Sequence, residues 1–479
     1  MTATEDALWQ HRTGLLPAGV PLVSALEEMA GRSRSHVVRA IGLIDVATGD
    51  VSPPRDLEVV DGTVVGWSPT RPVGGRATPY AWFAAPGLVD AHAHVSSVSD
   101  LVGLLVYGVT AYRQMWGEPA HRYTAGVYRA RHAVVPRPWV ATGVVDGPRS
   151  RVPHAATIVD GTRAVRQVID EAIAFGFDGI KVYDDLEEPV FANLAGEAER
   201  AGLPVVGHVP ERVPLDLARH GMRSTEHLYG IVPNVFRLPP AERWRALARE
   251  LGRNEDEAYA VAADFAGHFV CPTLTAWRAR TGERRFTRPS GVTIQVATPS
   301  RRGAWSSAAR DALRTDRTEA RERSALVDRL GDVARALADE GARLLVGTDC
   351  GNPFVVAGPS YHKELAELSR AGLGLGAILR AATVDAHEAM GWGEPPGDAS
   401  AVGRANLVFY RRPPVEGIGA LARPDGVMVD GVFLDGDDLD HLWGLRLAAA
   451  GLDARAWPRG ELDPPVTGAQ REKETAGAG

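Results

Sequence analysis

The segment Pro86-Gly87-Leu88-Val89-Asp90-Ala91-His92-Ala93-His94 places two histidines at i and i+2 directly after an apolar run. On a strand, that spacing turns both imidazoles to one face, within reach of a single ion. A pair of surface histidines at a strand end is the plainer reading of His-x-His by itself. Four more residues sit at or near the ends of apolar runs. Lys181 follows Gly179-Ile180, where an ammonium on a buried strand needs a partner or neutralisation. Pairing with Asp184 or Asp185 is one solution. Carbamylation by CO₂, giving an anionic ligand that bridges two cations, is the other. His208 ends Pro204-Val205-Val206-Gly207, and His227 ends Ser224-Thr225-Glu226; each alone reads equally as a satisfied core histidine. Asp349 closes the run that starts at Leu344, and a carboxylate buried there needs a metal or a hydrogen-bond partner. Nitrogen and oxygen donors without thiolates suit Zn²⁺, with Mn²⁺, Fe²⁺, Co²⁺ and Ni²⁺ as alternatives.

The elements that must position these groups alternate. Trp139–Thr142, Gly179–Val182, Val205–His208, Phe269–Thr273 and Leu344–Asp349 read as strands. Thr162–Phe175, Glu188–Ala201, Leu215–His220 and Ser324–Glu340 read as helices. Strand–helix alternation means parallel strands with crossover helices, which an open doubly wound sheet and a closed barrel satisfy equally. In a parallel barrel the active site gathers at the carboxyl ends of several strands, where His92, His94, Lys181, His208, His227 and Asp349 all fall. Short β runs flank this region: His36–Ala40, Leu57–Val60 and Thr63–Trp67 before it, and Asn406–Tyr410, Val427–Val429 and Val432–Leu434 after it, with hairpin signals at Asp61-Gly62 and Asp430-Gly431. The expected division is an N-terminal extension (1–35), a β-sandwich split between 36–82 and 398–437, a barrel over 83–397, and a C-terminal extension (438–479) whose end, 462–479, is disordered by composition. Residues 278–316 read as an insertion after the seventh barrel strand, either a substrate-covering lid or a disordered loop.

Composition narrows the partners. The 479 residues are 45% hydrophobic and 24% charged, enough for one large domain and a smaller one. A formal net charge of -7 favours neither nucleic acid nor an anionic membrane. Cys271 and Cys350 are the two cysteines, so no disulfide framework is implied and a reducing cytoplasm fits. The N-terminal residues do not read as a signal peptide, and no apolar run is long enough to span a bilayer. A small-molecule substrate is the expected partner, and homo-oligomerisation stays open.

The segments PGLVDAHAH (86–94), GVTAYRQMWG (108–117), FDGIKVY (177–183), VVGHVP (205–210), STEHL (224–228) and VGTDCG (346–351) resemble the amidohydrolase superfamily, nearest its imidazolonepropionase-like and prolidase-like branch. Residues 358–373 and 378–391 continue the likeness, which covers 36 to about 437. The resemblance, unlike the periodicity, selects an α/β fold with a closed (β/α)₈ TIM-like barrel. It implies a binuclear centre, with His92, His94 and Asp349 on the more buried metal and His208 and His227 on the second. A carboxylated Lys181 and a water or hydroxide would bridge them. Three positions depart from the branch: Gln114 and Cys350 stand where Asp and Ala are usual, and Asn406 replaces an Asp of the returning β strands.

The activity so implied is hydrolysis of a C–N bond in an amide, a dipeptide-like molecule or a cyclic amide. Asp349 takes the proton of the attacking hydroxide's water and returns it to the leaving nitrogen. Tyr183 and Tyr229 are the best-placed substrate contacts, followed by Arg113, Trp116, His154 and Trp277. Other uses of the same residues are cyclisation, dehydration or rearrangement in a biosynthetic pathway, a mononuclear deaminase, and a non-catalytic scaffold. Lys181 argues against the mononuclear centre, and a full ligand set argues against the scaffold.

Overall fold

A computed structural model of the chain describes residues 20–72, 79–235, 238–253, 261–283, 296–297, 299–393, 403–414 and 417–452. The expectation of disorder over 462–479 lies outside them. So do 1–19 of the N-terminal extension, 73–78 of the first connector, 284–295 and 298 of the insertion, and 398–402 before the returning strands. No helix among the described residues is long and apolar enough to cross a membrane.

The strands of the first flank are β1 (His36–Leu43), β2 (Arg55–Val60), β3 (Thr63–Pro69) and β4 (Trp82–Pro86). A central series follows: β5 (Leu88–Ala93), β6 (Val109–Gln114), β7 (Arg137–Asp146), β8 (Ala156–Ile158) and β9 (Gly179–Val182). It continues through β10 (Val205–Gly207), β11 (Ser224–Glu226), β12 (Phe269–Cys271) and β13 (Arg343–Leu344). The second flank supplies β14 (Gly403–Arg404), β15 (Leu407–Tyr410), β16 (Gly426–Val429) and β17 (Val432–Asp435).

The central strands form one curled parallel sheet in the order β13-β12-β11-β10-β9-β7-β6-β5, with β8 beside β7. Their crossovers are helical, and the apolar spacing explains why. In the helix Thr162–Phe175, Val165, Val168, Ile169 and Ala172 recur at three- and four-residue intervals, and all four are buried. They pack with Phe191, Leu194 and Ala198 of the next helix over Val145, Ile180, Val182 and Val205 of the sheet. The flanking strands share a second, mainly antiparallel sheet, in the order β14-β3-β2-β1-β4-β15-β16-β17. Its core joins Ile41, Leu57, Val64 and Ala84 from one flank to Leu407, Phe409 and Met428 from the other. Sequence separation of some three hundred residues is thus closed by β4 pairing with β15.

The eighth central strand departs from the run expected over Leu344–Asp349. Regular pairing covers only Arg343 and Leu344. Beyond them the chain stays extended between two neighbours: Leu345 donates to Val270 of β12, Ala91 of β5 donates to Val346, and Asp349 donates to His92. Within this extended stretch Gly347 passes against β5 with no room for a side chain. A Cβ there would stand 2.4 Å from Cys271 Sγ and 2.7 Å from the His92 nitrogen. Gly347→Ala is expected to lower the unfolding free energy by about 1–3 kcal/mol, the usual penalty of overpacking, with part recovered by adding Cys271→Ala. Urea midpoints of the two variants check this, and an unchanged midpoint in Gly347→Ala would show that the approach is not tight.

Candidate metal centre and active site

The carboxyl ends of the curled sheet turn six of the expected residues toward one cavity of about 480 Å³. His92 lies on β5 and His94 just beyond it, Lys181 lies on β9, and His208 and His227 follow β10 and β11. Asp349 enters from the segment after β13. Ligand atoms of His92, His227 and Asp349 lie within 4.8 Å of one another. His94 Nε2 is 2.9 Å and His92 Nε2 3.6 Å from Asp349 Oδ1. The rings of His208 and His227 are 4.9 Å apart, and those of His92 and His227 4.6 Å.

Backbone shape aims these groups. His227 (φ +61°), Thr273 (φ +50°) and Asp349 (φ +58°) are in the left-handed region that residues other than glycine rarely occupy. Each stands where a strand stops, so the chain turns sharply and throws its side chain over the sheet end.

Three imidazoles are anchored from behind. His92 Nδ1 meets Glu226 Oε2 at 2.7 Å, His208 Nδ1 meets Asp184 Oδ1 at 2.6 Å, and His227 Nδ1 meets Thr273 Oγ1 at 2.7 Å. With a carboxylate at Nδ1 that nitrogen is the donor, which leaves the Nε2 lone pair of His92 and of His208 directed forward. Burial lowers the pKa of His92 and of His208 to about 4, partly opposed by their carboxylate partners. Both rings are therefore neutral ligands near pH 7. Burial also lowers Lys181 to about 8, against the pull of Glu226 and Asp349, so its neutral amine, the form that reacts with CO₂, is accessible. Burial opposes ionisation of Asp349, yet the bond from His94 and the neighbouring imidazoles hold it well below the usual range. Four imidazoles, one carboxylate and an amine of this kind, without thiolate, fit a pair of divalent cations.

Of the six expected substrate contacts, Trp116, Tyr183, Tyr229 and Trp277 line the cavity. Tyr183 stacks on His208 at 4.0 Å, and Tyr229 lies 4.9 Å from the same ring. Arg113 and His154 require correction. Arg113 is buried inside the curled sheet, where its guanidinium is used by Ala91 O (2.6 Å), Ser224 Oγ (2.8 Å) and Glu226 Oε1 (2.7 Å). His154 sits exposed in the turn between β7 and β8, off the cavity wall.

Glu226 was not singled out in the sequence, although an acid beside His227 and an arginine on apolar β6 were a signal for a buried pair. Arg151, Arg243, Arg280, Arg301 and Asn352 also line the wall unforeseen, because helices and turns distant in sequence deliver them. The departures resolve locally. Gln114 accepts from Val95 N (2.9 Å) and donates to Trp116 O (2.9 Å), a two-way clamp that aspartate lacks the donor for. Cys350 is buried and burial pushes its thiol up, which disfavours a nucleophile. Asn406 accepts from Asp430 N (2.7 Å) in the flanking sheet.

Glu226 is held well below the ordinary range because Arg113 and His92 outweigh its burial. Glu226→Gln leaves Arg113 charged and unbalanced, and the expected loss is about 3–5 kcal/mol of unfolding free energy. Denaturant titration checks it. A loss below about 1 kcal/mol would show that the carboxylate charge is dispensable.

No family model matches the sequence, and no curated protein matches it. Among solved structures the chain is similar to one described as a bottromycin amidohydrolase, at 69% identity over 96% of this chain and 100% of that one, with a TM-score of 0.89. A putative prolidase from Bifidobacterium longum shares the fold at 18% identity (86% and 98% covered, TM-score 0.59). So does a Xaa-Pro dipeptidase at 15% (84% and 100% covered, TM-score 0.58). The chain belongs to the amidohydrolase superfamily of hydrolases acting on carbon–nitrogen bonds.

Proposed function

We propose that the chain hydrolyses an amide or related C–N bond of a small, peptide-like molecule at a centre of two divalent cations, Zn²⁺ in the simplest case. The name of the 69% identical relative directs the search to compounds related to bottromycin. The supporting observation is that three of the four facing imidazoles are fixed through Nδ1, two of them by buried carboxylates. His92, His94 and Asp349 would hold one ion, His208 and His227 the other, and Lys181, carboxylated, both. Bound there, the ions would lower the pKa of water and polarise the scissile carbonyl.

The protein's own groups do the rest. Asp349, ionised at rest, accepts a proton from the attacking water as its oxygen adds to the carbonyl carbon. It delivers that proton to the nitrogen as the C–N bond breaks, which leaves an acid and an amine. Burial raises the phenols of Tyr183 and Tyr229 above their ordinary value, so both remain neutral donors facing the cavity. Trp116 and Trp277 bound the cavity with apolar surface. The fold around this chemistry is read as a closed (β/α)₈ barrel over 83–397, a β-sandwich from 36–82 and 398–437, and extensions at either end. The helix Pro299–Arg314 covers one side of the cavity: Arg301 in it donates to His94 O, and Trp305 Nε1 to Gly351 O at 3.3 Å.

Two substitutions test the centre. Asp349→Asn keeps size but not proton transfer, so kcat is expected to fall at least about a hundredfold with much of the metal retained. Turnover within a few-fold of wild type, measured beside metal content and melting temperature, would make Asp349 structural. Lys181→Ala is expected to lose one of two bound ions by elemental analysis, with short carboxylic acids restoring part of the activity. Full activity without them would rule the bridging role out.

A further inference from the structure

Glu364 is a buried acid that the proposed chemistry does not use. It lies on the helix Pro359–Arg370 and is wholly shielded from solvent. Both of its oxygens are taken by backbone N–H groups: Oε1 accepts from Leu274 N at 2.9 Å and Oε2 from Thr275 N at 2.6 Å. Burial pushes its carboxyl up to about 8, against the pull of those two bonds. An acid buried this way burdens the fold more than an apolar residue of the same shape would. Its use must lie in what it holds.

Leu274 and Thr275 open the helix Leu274–Arg278, and Thr273 stands just before it. A threonine at that position ordinarily turns its hydroxyl onto an N–H of its own first turn. Thr273 makes no such bond. Its hydroxyl lies 2.7 Å from His227 Nδ1 instead, on a left-handed backbone (φ +50°). A β-branched residue keeps that conformation only where its surroundings impose it. Glu364 therefore takes up the capping that Thr273 leaves undone. One turn along the same helix, Glu367 grips the far end of the segment, accepting from Arg278 Nη2 at 2.8 Å. Of the two grips, that of Glu364 is the one next to a candidate metal ligand.

We propose that Glu364 is a positioning residue for His227: by capping Leu274 and Thr275 it keeps the Thr273 hydroxyl turned to the imidazole. The proposal rests on the reading of His227 as a metal ligand. Without the carboxylate, the hydroxyl swings back to Thr275 N and the ring loses its anchor.

The test uses the full chain, with Zn²⁺ as the probe. Zinc affinity is measured by competition with a chelating dye, beside the melting temperature. The histidine ring nitrogens of the metal-free chain are followed by NMR, with His227 assigned through His227→Gln. Glu364→Gln, whose amide can accept only one of the two bonds, is expected to weaken one of the two zinc ions about tenfold and to shift the His227 Nδ1 signal. Thr273→Val is expected to do the same, and the double variant no more than either, because both act through one bond. Glu367→Gln is expected to lower the melting temperature and leave zinc affinity and the His227 signal unchanged. Should Glu364→Gln not fold, Glu364→Asp, which holds both acceptors one methylene short, is read in the same way. Wild-type zinc affinity and an unmoved His227 signal in the folded Glu364 variant overturn the proposal. So do losses that add in the double variant, or an equal loss of zinc in Glu367→Gln. If the wild type holds fewer than two zinc ions, the binuclear reading fails separately, and the His227 signal of the metal-free variants decides the positioning role by itself.

Discussion

Arg113 and Glu226 bring opposite charges into the interior of the curled sheet, where each would be prohibitively costly alone. The pair survives because the bonds close on one another. Arg113 spans Ala91 of β5, Ser224 and Glu226 of β11, while starting from β6; Ser224 adds a second bond to Glu226 at 2.7 Å, and the other carboxylate oxygen takes His92. Three strands are thereby held in register by groups that cannot move without stranding a charge. The plane of His92 is set as a by-product. A candidate ligand is oriented by the same bonds that make the ion pair tolerable, so the centre and the sheet interior are one structure.

The outer end of the site is assembled by a different means. Asp90, buried beside His92, accepts from Thr348 N at 3.0 Å and from Thr348 Oγ1 at 2.7 Å, which pins the segment carrying Asp349 to β5. That pinning holds Asp349 in its left-handed conformation, since the chain on both sides of it is bonded. Strain of this kind persists only where surrounding contacts over-determine it. The close pass of Gly347 belongs to the same arrangement: any side chain there would push the last segment off β5 and the carboxylate away from His94.

Much of this was legible in the sequence, and the reasons are specific. Helices such as Thr162–Phe175 and strands such as Gly179–Val182 appear at the expected bounds because their apolar spacing matches one period and no other. The six convergent residues were visible because each polar group interrupts an apolar run at its end. Groups whose partners lie far along the chain were not visible. Arg113 read as a substrate contact because nothing local shows that Glu226, 113 positions away, consumes it. The wall arginines were invisible for the complementary reason: Arg243 and Arg280 lie on helices or turns with ordinary charged composition, and only the curl of the sheet gives them a shared cavity. His154 erred by proximity in sequence to β7, where exposure in a turn decides the matter.

Electrostatics then grade the cavity from floor to rim. The floor combines the neutral imidazoles of His92 and His208 with the carboxylate of Asp349 kept ionised, so it presents lone pairs and negative charge, the condition for gathering cations. Above it stand Tyr183 and Tyr229, neutral donors whose buried phenols resist ionisation. The rim is arginine, where Arg151 and Arg301 are balanced by Asp184 and Asp100 just behind the wall. The order matters physically. Cations held at the floor would be repelled by the rim if the two layers were adjacent, and the band of neutral aromatic side chains separates them. The same gradient keeps both cysteines out of the chemistry: Cys271 and Cys350 lie in the buried layer, where desolvation and nearby carboxylates hold their thiols protonated.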